Sequence, residues 1–294
     1  MTATPPKSLQ QLYAAHPRQW REFDYVYPVF SRRSGGLSIG VNLNPDKVCN
    51  WDCVYCQVDR SVAPKRRDVD LNQLREELDW MLGFVAGGAI WEQEPFANVP
   101  EPQRRVNDIA FSGDGEPTAF AGFEDACRIA IELKAAHDLG AVKVIVLTNM
   151  TLAHREYVQR AFALLDKTHS EIWAKLEAGT QAYYEQVDRS AVKLDRVLAN
   201  ILTTGRERPI VIQSMWMRLH DQLPPEAEFD AFADRLKSLR KDGCQIKQVQ
   251  LYTIARHTAE AYATPLSDDE LDKLSDHLKD RLPDLRVDTF YGVH

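Results

Sequence analysis

The sequence predicts an α/β fold, a partial (β/α)6 barrel of parallel strands with outer helices, and three observations predict it. Short β-branched runs alternate with amphipathic helical stripes along most of the chain. Six such strand and helix units follow one another, two fewer than a closed eightfold barrel would have. The 294 residues, 44% of them hydrophobic, can bury a substantial core without a disulfide or a structural metal.

Taken in order, strands are expected over residues 37–43, 107–111, 142–147, 171–175, 209–215 and 248–254, with a seventh candidate over 285–290. Between them apolar residues recur at helical spacing: Leu71, Leu74 and Leu78; Val158, Ala161, Phe162 and Leu165; Leu194, Val197, Leu198 and Ile201; Phe229, Phe232 and Leu236. Each stripe is suited to cover one face of the sheet. Ser267, three residues ahead of Glu270, has the form of a capping box opening a last helix with Leu271, Leu274 and Leu278 on its buried side. Residues 86–105, AGGAIWEQEPFANVPEPQRR, hold three prolines and no sustained period, and read as a lid or substrate loop, or else as a disordered insertion. The pattern divides the chain into an amino-terminal extension over 1–36, a core over 37–256, and a carboxyl-terminal helix and strand over 257–294 that pack on the core. In an open α/β sheet the ligand belongs at the carboxyl ends of the strands.

The formal net charge is −7, so the chain lacks the broad positive field that a nucleic-acid backbone demands, although a local basic patch is compatible with it. The opening MTATPPKSLQ has no apolar stretch behind a basic region, so no signal peptide is expected. No window approaches the roughly 20 apolar residues of a membrane helix. Five cysteines, three of them within eight positions, fit a metal site in the reducing cytoplasm better than a disulfide framework.

The chemistry concentrates in residues 44–60, NPDKVCNWDCVYCQVDR, directly after the first expected strand. Cys49, Cys53 and Cys56 follow the spacing C-x3-C-x2-C, close enough for one loop to wrap three thiolates around a single inorganic cluster. An iron–sulfur cube ordinarily takes four cysteines, one for each iron, so a trio leaves one iron open to a small molecule. The other reading, a structural zinc knuckle, normally needs four protein ligands, and the nearest further candidates are the distant His16 and Cys127. Cys127 falls on an apolar stripe with Phe123, Ala130 and Ile131, and Cys244 precedes a strand. Both read as buried small hydrophobes, and no second cluster is expected.

With Tyr55 before its last cysteine, this loop closely resembles that of the radical S-adenosylmethionine (radical SAM) superfamily. The resemblance implies a partial barrel of the radical SAM type, a [4Fe-4S] cluster on Cys49, Cys53 and Cys56, and S-adenosylmethionine chelated on the open iron. In that family an electron passed to the sulfonium breaks a C–S bond and releases a deoxyadenosyl radical that abstracts hydrogen from the substrate. The protein then positions the reactants and excludes water.

The same resemblance assigns Ser112, Gly113, Asp114, Gly115 and Glu116, from SGDGEPT after the second strand, to the family's glycine-rich segment for the methionyl amino group. The commoner form is Gly-Gly-Glu, so Asp114 is a departure. Read by themselves, the glycines let the backbone approach a ligand closely, or simply make a βα turn. Thr148 and Asn149 look like the family's Thr-Asn pair near the cofactor. Lys175, in WAKLEAG at the end of the fourth strand, is a cation in an apolar run and needs a partner. The resemblance suggests the cofactor carboxylate; a salt-bridged core lysine and a role toward substrate are the alternatives. Gln213 and Arg256 are candidates of the same kind, each equally able to satisfy a strand-end carboxylate. Arg60, Lys65, Arg66 and Arg67 form a basic group beyond the cysteines, either solvated or facing an anionic substrate or an acidic electron donor such as a flavodoxin or ferredoxin.

Over residues 41–254 the pattern is most similar to bacterial wyosine-type Fe–S oxidoreductases, whose relatives include tRNA-modifying enzymes. The additional cysteines of those relatives are missing and the chain is acidic, so the expectation is a radical enzyme acting on a small molecule or peptide. RNA modification of the wyosine type and glycyl-radical activation are alternatives within the superfamily. A non-catalytic Fe–S or zinc redox sensor is the alternative outside it.

Overall fold

A computed structural model describes residues 12–13 and 18–293; the stretch Met1 to Gln10 and His16, read above, lie outside them. The strands are β1 (Val26–Ser31), β2 (Gly36–Val41), β3 (Val106–Phe111), β4 (Lys143–Thr148), β5 (Ser170–Lys175), β6 (Ile210–Met215), β7 (Met217–Leu219), β8 (Ile246–Tyr252), β9 (Ala263–Pro265) and β10 (Val287–Phe290). The helices are α1 (Leu71–Ala86), α2 (Phe123–Ala136), α3 (Glu156–Leu165), α4 (Gln181–Val187), α5 (Leu194–Glu207), α6 (Glu226–Lys241) and α7 (Asp268–Arg281). Eight strands share one sheet in the order β1-β2-β3-β4-β5-β6-β8-β10, and β7 pairs with β9 apart from it. Every neighbour in the large sheet is parallel except β1 and β2.

The six expected strands are β2, β3, β4, β5, β6 and β8, and the seventh candidate is β10, with bounds shifted by a few residues. The antiparallel β1 was not anticipated, because Pro28 interrupts its apolar run. A proline lacks the N–H a central strand must donate, and β1 tolerates it as the edge of the sheet. Glu77 of α1 anchors this edge: its buried carboxylate accepts from the backbone N–H groups of Asp24, Tyr25 and Val26.

Alternation along the strands divides their side chains between two environments, as a period of two requires. Ile109, Phe111, Val144, Val146, Ile172, Ala174, Ile210, Ile212, Val249 and Leu251 join the main core beneath the helices. Ala110, Ile145, Trp173 and Val211 form a separate small cluster on the other face. That second face is concave: the guanidinium of Arg33, on the turn between β1 and β2, lies 4.9 Å from the ring of Tyr252 on β8, far along the strand order.

The expected helical stripes are buried as read except Leu71 and, on the last helix, Leu274, which are half-buried, and the capping box of α7 forms, with Ser267 Oγ accepting from Glu270 N and Glu270 Oε2 accepting from Ser267 N. Cys127 and Cys244 are buried among apolar neighbours. Residues 86–105 need correction. They form three short 3-10 turns, of which the first buries Ile90 and the second Phe96, with Val99 buried just after it, so the segment is neither a lid nor a disordered insertion. It leads into the start of β3, the end opposite the cysteine loop, and its packing is invisible to periodicity because the buried side chains are isolated and form no stripe.

Candidate active site at the carboxyl ends of the strands

A cavity of about 270 Å³ opens on the concave face, and thirteen of the fourteen residues singled out above for metal or cofactor line it: Cys49, Cys53, Tyr55, Cys56, Ser112 to Glu116, Asn149, Lys175, Gln213 and Arg256; the exception, Thr148, is buried behind the wall, where its hydroxyl donates to Glu116. They come from the loop after β2 and from the ends of β3, β4, β5, β6 and β8. Parallel strands in one sheet end side by side, which is how residues far apart in sequence meet.

The cysteine loop is fastened at both ends of its bend. Asp52 N and Val54 N donate to the carbonyls of Asp188 and Val187, and the carbonyls of Cys56 and Val54 accept from Ala259 N and Glu260 N. Asn50 donates to Thr151 Oγ1 at 2.6 Å and accepts from Asn149 Nδ2 at 2.7 Å, tying the loop to the end of β4. The three cysteines are free and half-buried. Burial pushes the Cys49 thiol up and the Cys53 thiol well up, so ligation must displace their protons. Arg60 Nη1 donates to Cys56 Sγ at 3.1 Å, and Trp51 N to Cys49 Sγ at 3.5 Å.

The three cysteines of one loop offer thiolate donors of the kind a cube takes, one for each iron. Among the described residues no group of three His, Cys, Asp or Glu side chains is placed to hold a metal ion.

The SGDGEPT segment serves the loop as much as the cavity. A Cβ on Gly113 would meet Asn42 Oδ1 at 2.3 Å, and one on Gly115 would meet the Val48 carbonyl at 2.2 Å. The close approach the glycines allow is therefore to the chain itself, not only to a ligand. Asp114, the departure from the commoner motif, is neutralised by Arg18 Nη1 at 2.7 Å and held by Asn42 Nδ2 at 2.8 Å. Glu116 is buried and accepts from Thr118 N, Thr118 Oγ1, Thr148 Oγ1 and Asn149 N, so its carboxylate joins the ends of β3 and β4. Burial raises it above its ordinary value and these donors oppose the rise.

Lys175 faces the cavity with its Nζ 2.6 Å from Glu177 Oε1 and 3.2 Å from the Tyr252 hydroxyl. It also lies over the ring of Tyr55, 5.0 Å from the centroid. Burial works to lower Lys175, but Glu177 and Tyr252 outweigh it and keep the ammonium charged. The partner of this lysine in the chain is thus Glu177, the salt-bridged alternative, and its remaining donors point to the cavity wall. Asp188, which accepts from the Tyr55 hydroxyl at 3.4 Å, is pushed well above the usual carboxylate range by burial and by Glu177. Gln213 donates to Gln250 Oε1 at 2.8 Å, and its own Oε1 is buried with no hydrogen-bond partner. Arg256 donates to the carbonyl of Tyr13 and to Gln57 Oε1, both at 3.0 Å, and not to a strand-end carboxylate.

Sequence reasoning missed several lining residues: Arg18, Arg32, Arg33, Tyr27, Asp108 and Tyr252. Asp108, bonded to Ser38, is pushed up to about 6 by burial. Only its position as a charge inside a short apolar strand could have marked it. SRRSGG reads as a solvated turn, and nothing in the sequence brings it to the far half of the sheet.

No family model matches the chain. It is 23% identical over 252 residues to the GTPase Obg of Brachyspira hyodysenteriae, a match that covers 84% of this chain and 32% of that protein. It is 25% identical over 250 residues to a UPF0026 protein of Helicobacter pylori, covering 84% of this chain and 71% of that one. The chain thus spans less than a third of the first relative. Among solved structures, Streptococcus suis SuiB bound to S-adenosylmethionine superposes with a TM-score of 0.59 at 13% identity, over 88% of this chain and 52% of that one. TYW1 with a lysine-pyruvate adduct bound superposes with a TM-score of 0.52 at 16% identity, over 84% and 74% of the two chains. These likenesses show the fold: a curled, mostly parallel half-barrel of the radical SAM type.

Proposed function

We propose that this chain is a radical SAM enzyme that holds a [4Fe-4S] cluster on Cys49, Cys53 and Cys56 and cleaves S-adenosylmethionine reductively to abstract hydrogen from a substrate. One observation carries the reading: three cysteines of one loop line the same cavity as the glycine-rich segment, Asn149 and Lys175. The SAM-bound neighbour of the same fold supports it. Held by Cys49, Cys53 and Cys56, the cluster would supply the one electron that reductive cleavage of the sulfonium's C–S bond requires.

The chain's own residues would bind, orient and shield. Gly113 and Gly115 bring backbone close to the loop, and carbonyls of this segment would accept from the methionyl amino group. Lys175, held charged by Glu177, would meet a carboxylate. Tyr55, Trp173 and Met215 wall the cavity and exclude water. Arg60, donating to Cys56 Sγ, would favour the reduced, more negative state of the site. A flavodoxin or ferredoxin would supply the electron, facing exposed Lys65 and Arg67 beside the loop. The cytoplasm is the compartment such chemistry suits; no helix among the described residues is long and apolar enough to cross a membrane.

Anaerobic reconstitution with iron and sulfide, followed by dithionite and S-adenosylmethionine, should yield deoxyadenosine by chromatography, and Cys53→Ala should abolish it. Stoichiometric zinc with no deoxyadenosine would favour the redox-sensor alternative and overturn the reading.

A further inference from the structure

Positive charge gathers in the cavity against the net charge of −7. Arg32, Arg33 and Arg256 all line it, and among the described residues none of the three makes an ion pair with a carboxylate. Arg32 Nη1 is buried without a hydrogen-bond partner. Arg33 lies over the Tyr252 ring, and Arg256 bonds only to the neutral oxygens of Tyr13 and Gln57. Two acids along the cavity wall are fully engaged, Asp114 by Arg18 and Glu116 by two threonines and Asn149; Asp108 Oδ1 accepts from Ser38 while its Oδ2 is buried without a partner, and none of the three pairs with Arg32, Arg33 or Arg256. The undescribed stretch before Arg18 contains no Asp or Glu to pair with them.

Burial and the mutual repulsion of these guanidiniums depress both Arg32, to about 10, and Arg256, to about 9. Converging unpaired cations destabilise a folded chain unless an anion joins them. A carboxylate offers two oxygens and one charge, whereas a phosphoryl group offers two charges and three acceptor oxygens, a better match to three planar donors.

We propose that Arg32, Arg33 and Arg256 form a phosphate subsite, and that the molecule on which the chain acts carries a phosphoryl group there. The inference rests on the cavity being the active site of the proposed radical enzyme, and it names a chemical class for the substrate.

Calorimetric titration of the full chain with inorganic phosphate tests it, with acetate and malonate as carboxylate controls. Phosphate should bind more tightly than either carboxylate, and Arg32→Gln/Arg33→Gln should weaken it about tenfold or more. The exposed Arg75→Gln should leave it unchanged. Phosphate should raise the melting temperature of the wild type and not of the double variant, which without phosphate trades relieved repulsion against the lost contact of Arg33 with the Tyr252 ring. A double variant that binds phosphate as well as wild type, or carboxylates that bind as tightly, would overturn the subsite. Cys53→Ala, unable to make deoxyadenosine, should still bind phosphate, which separates this inference from the cluster reading. Comparing a nucleoside monophosphate with tRNA as competitors locates the phosphoryl group: whichever displaces phosphate is the source, and displacement by neither sinks the idea.

Discussion

Lys175 and Glu177 define the chemistry at the scale of single residues, because each makes the other's burial tolerable. A carboxylate as buried as Glu177 is costly without a cation, and Lys175 supplies it at 2.6 Å. Replacing Lys175 with Met should therefore cost about 3 kcal/mol or more in urea unfolding of the apo chain, since it strands a buried acid beside Asp188. The pair Lys175→Met/Glu177→Gln should recover much of that loss. Equal destabilisation of the single and double variants would show that the ammonium contributes through packing alone.

At the scale of elements, the cysteine loop and the segment after β3 are fitted to each other. Gly115 lies where a methyl group would strike the carbonyl of Val48 at 2.2 Å and Asn44 at 2.8 Å, one residue before the first cysteine in the case of Val48. Gly115→Ala must displace the loop, and iron bound per chain after reconstitution should fall severalfold. Gly140→Ala is the control, because nothing lies within 4 Å of the added atom there. Normal iron loading in Gly115→Ala would mean that the loop adjusts independently of β3. Backbone bonds from the loop to Val187, Asp188, Ala259 and Glu260 give it a fixed frame on the opposite side. These bonds fix the backbone of the cysteine loop in the chain's own fold, which would lower the ordering cost of binding the proposed cluster.

For the molecule as a whole, the end of the half-barrel away from the cavity is held by charge. Glu171 on β5 accepts from Lys143 of β4 at 2.9 Å, from Lys247 of β8 at 2.6 Å, and from Trp173 Nε1 at 2.9 Å. Burial works to raise this carboxylate, but the three donors outweigh it and hold it at about 2. A folded value below the unfolded one means the contribution is fully present above about pH 5 and is lost as the pH falls toward 2. Glu171→Gln should cost about 2 kcal/mol at pH 7, and the gap between wild type and variant should close across that acid range. A gap independent of pH would show that the carboxylate charge is not what joins these strands. The same curl that brings β8 near β4 at this end brings Arg33 onto Tyr252 at the other wall of the cavity.

The sequence by itself determined the class of fold, the order of the parallel strands and the identity of the cysteine loop, because these depend on local period and spacing. Periodicity found the stripes of α3 and α5, the C-x3-C-x2-C spacing found three cysteines of one loop, and the family resemblance added ten further residues that line the same cavity. Only the tertiary structure decided who pairs with whom: Lys175 with Glu177, Asp114 with Arg18, and Arg32 with no acid among the described residues. It also decided that residues 86–105 pack into the core instead of covering the cavity. The physical reason is the curl of the sheet, which sets distant side chains within hydrogen-bond reach, whereas one-dimensional patterns record only neighbours a few residues apart.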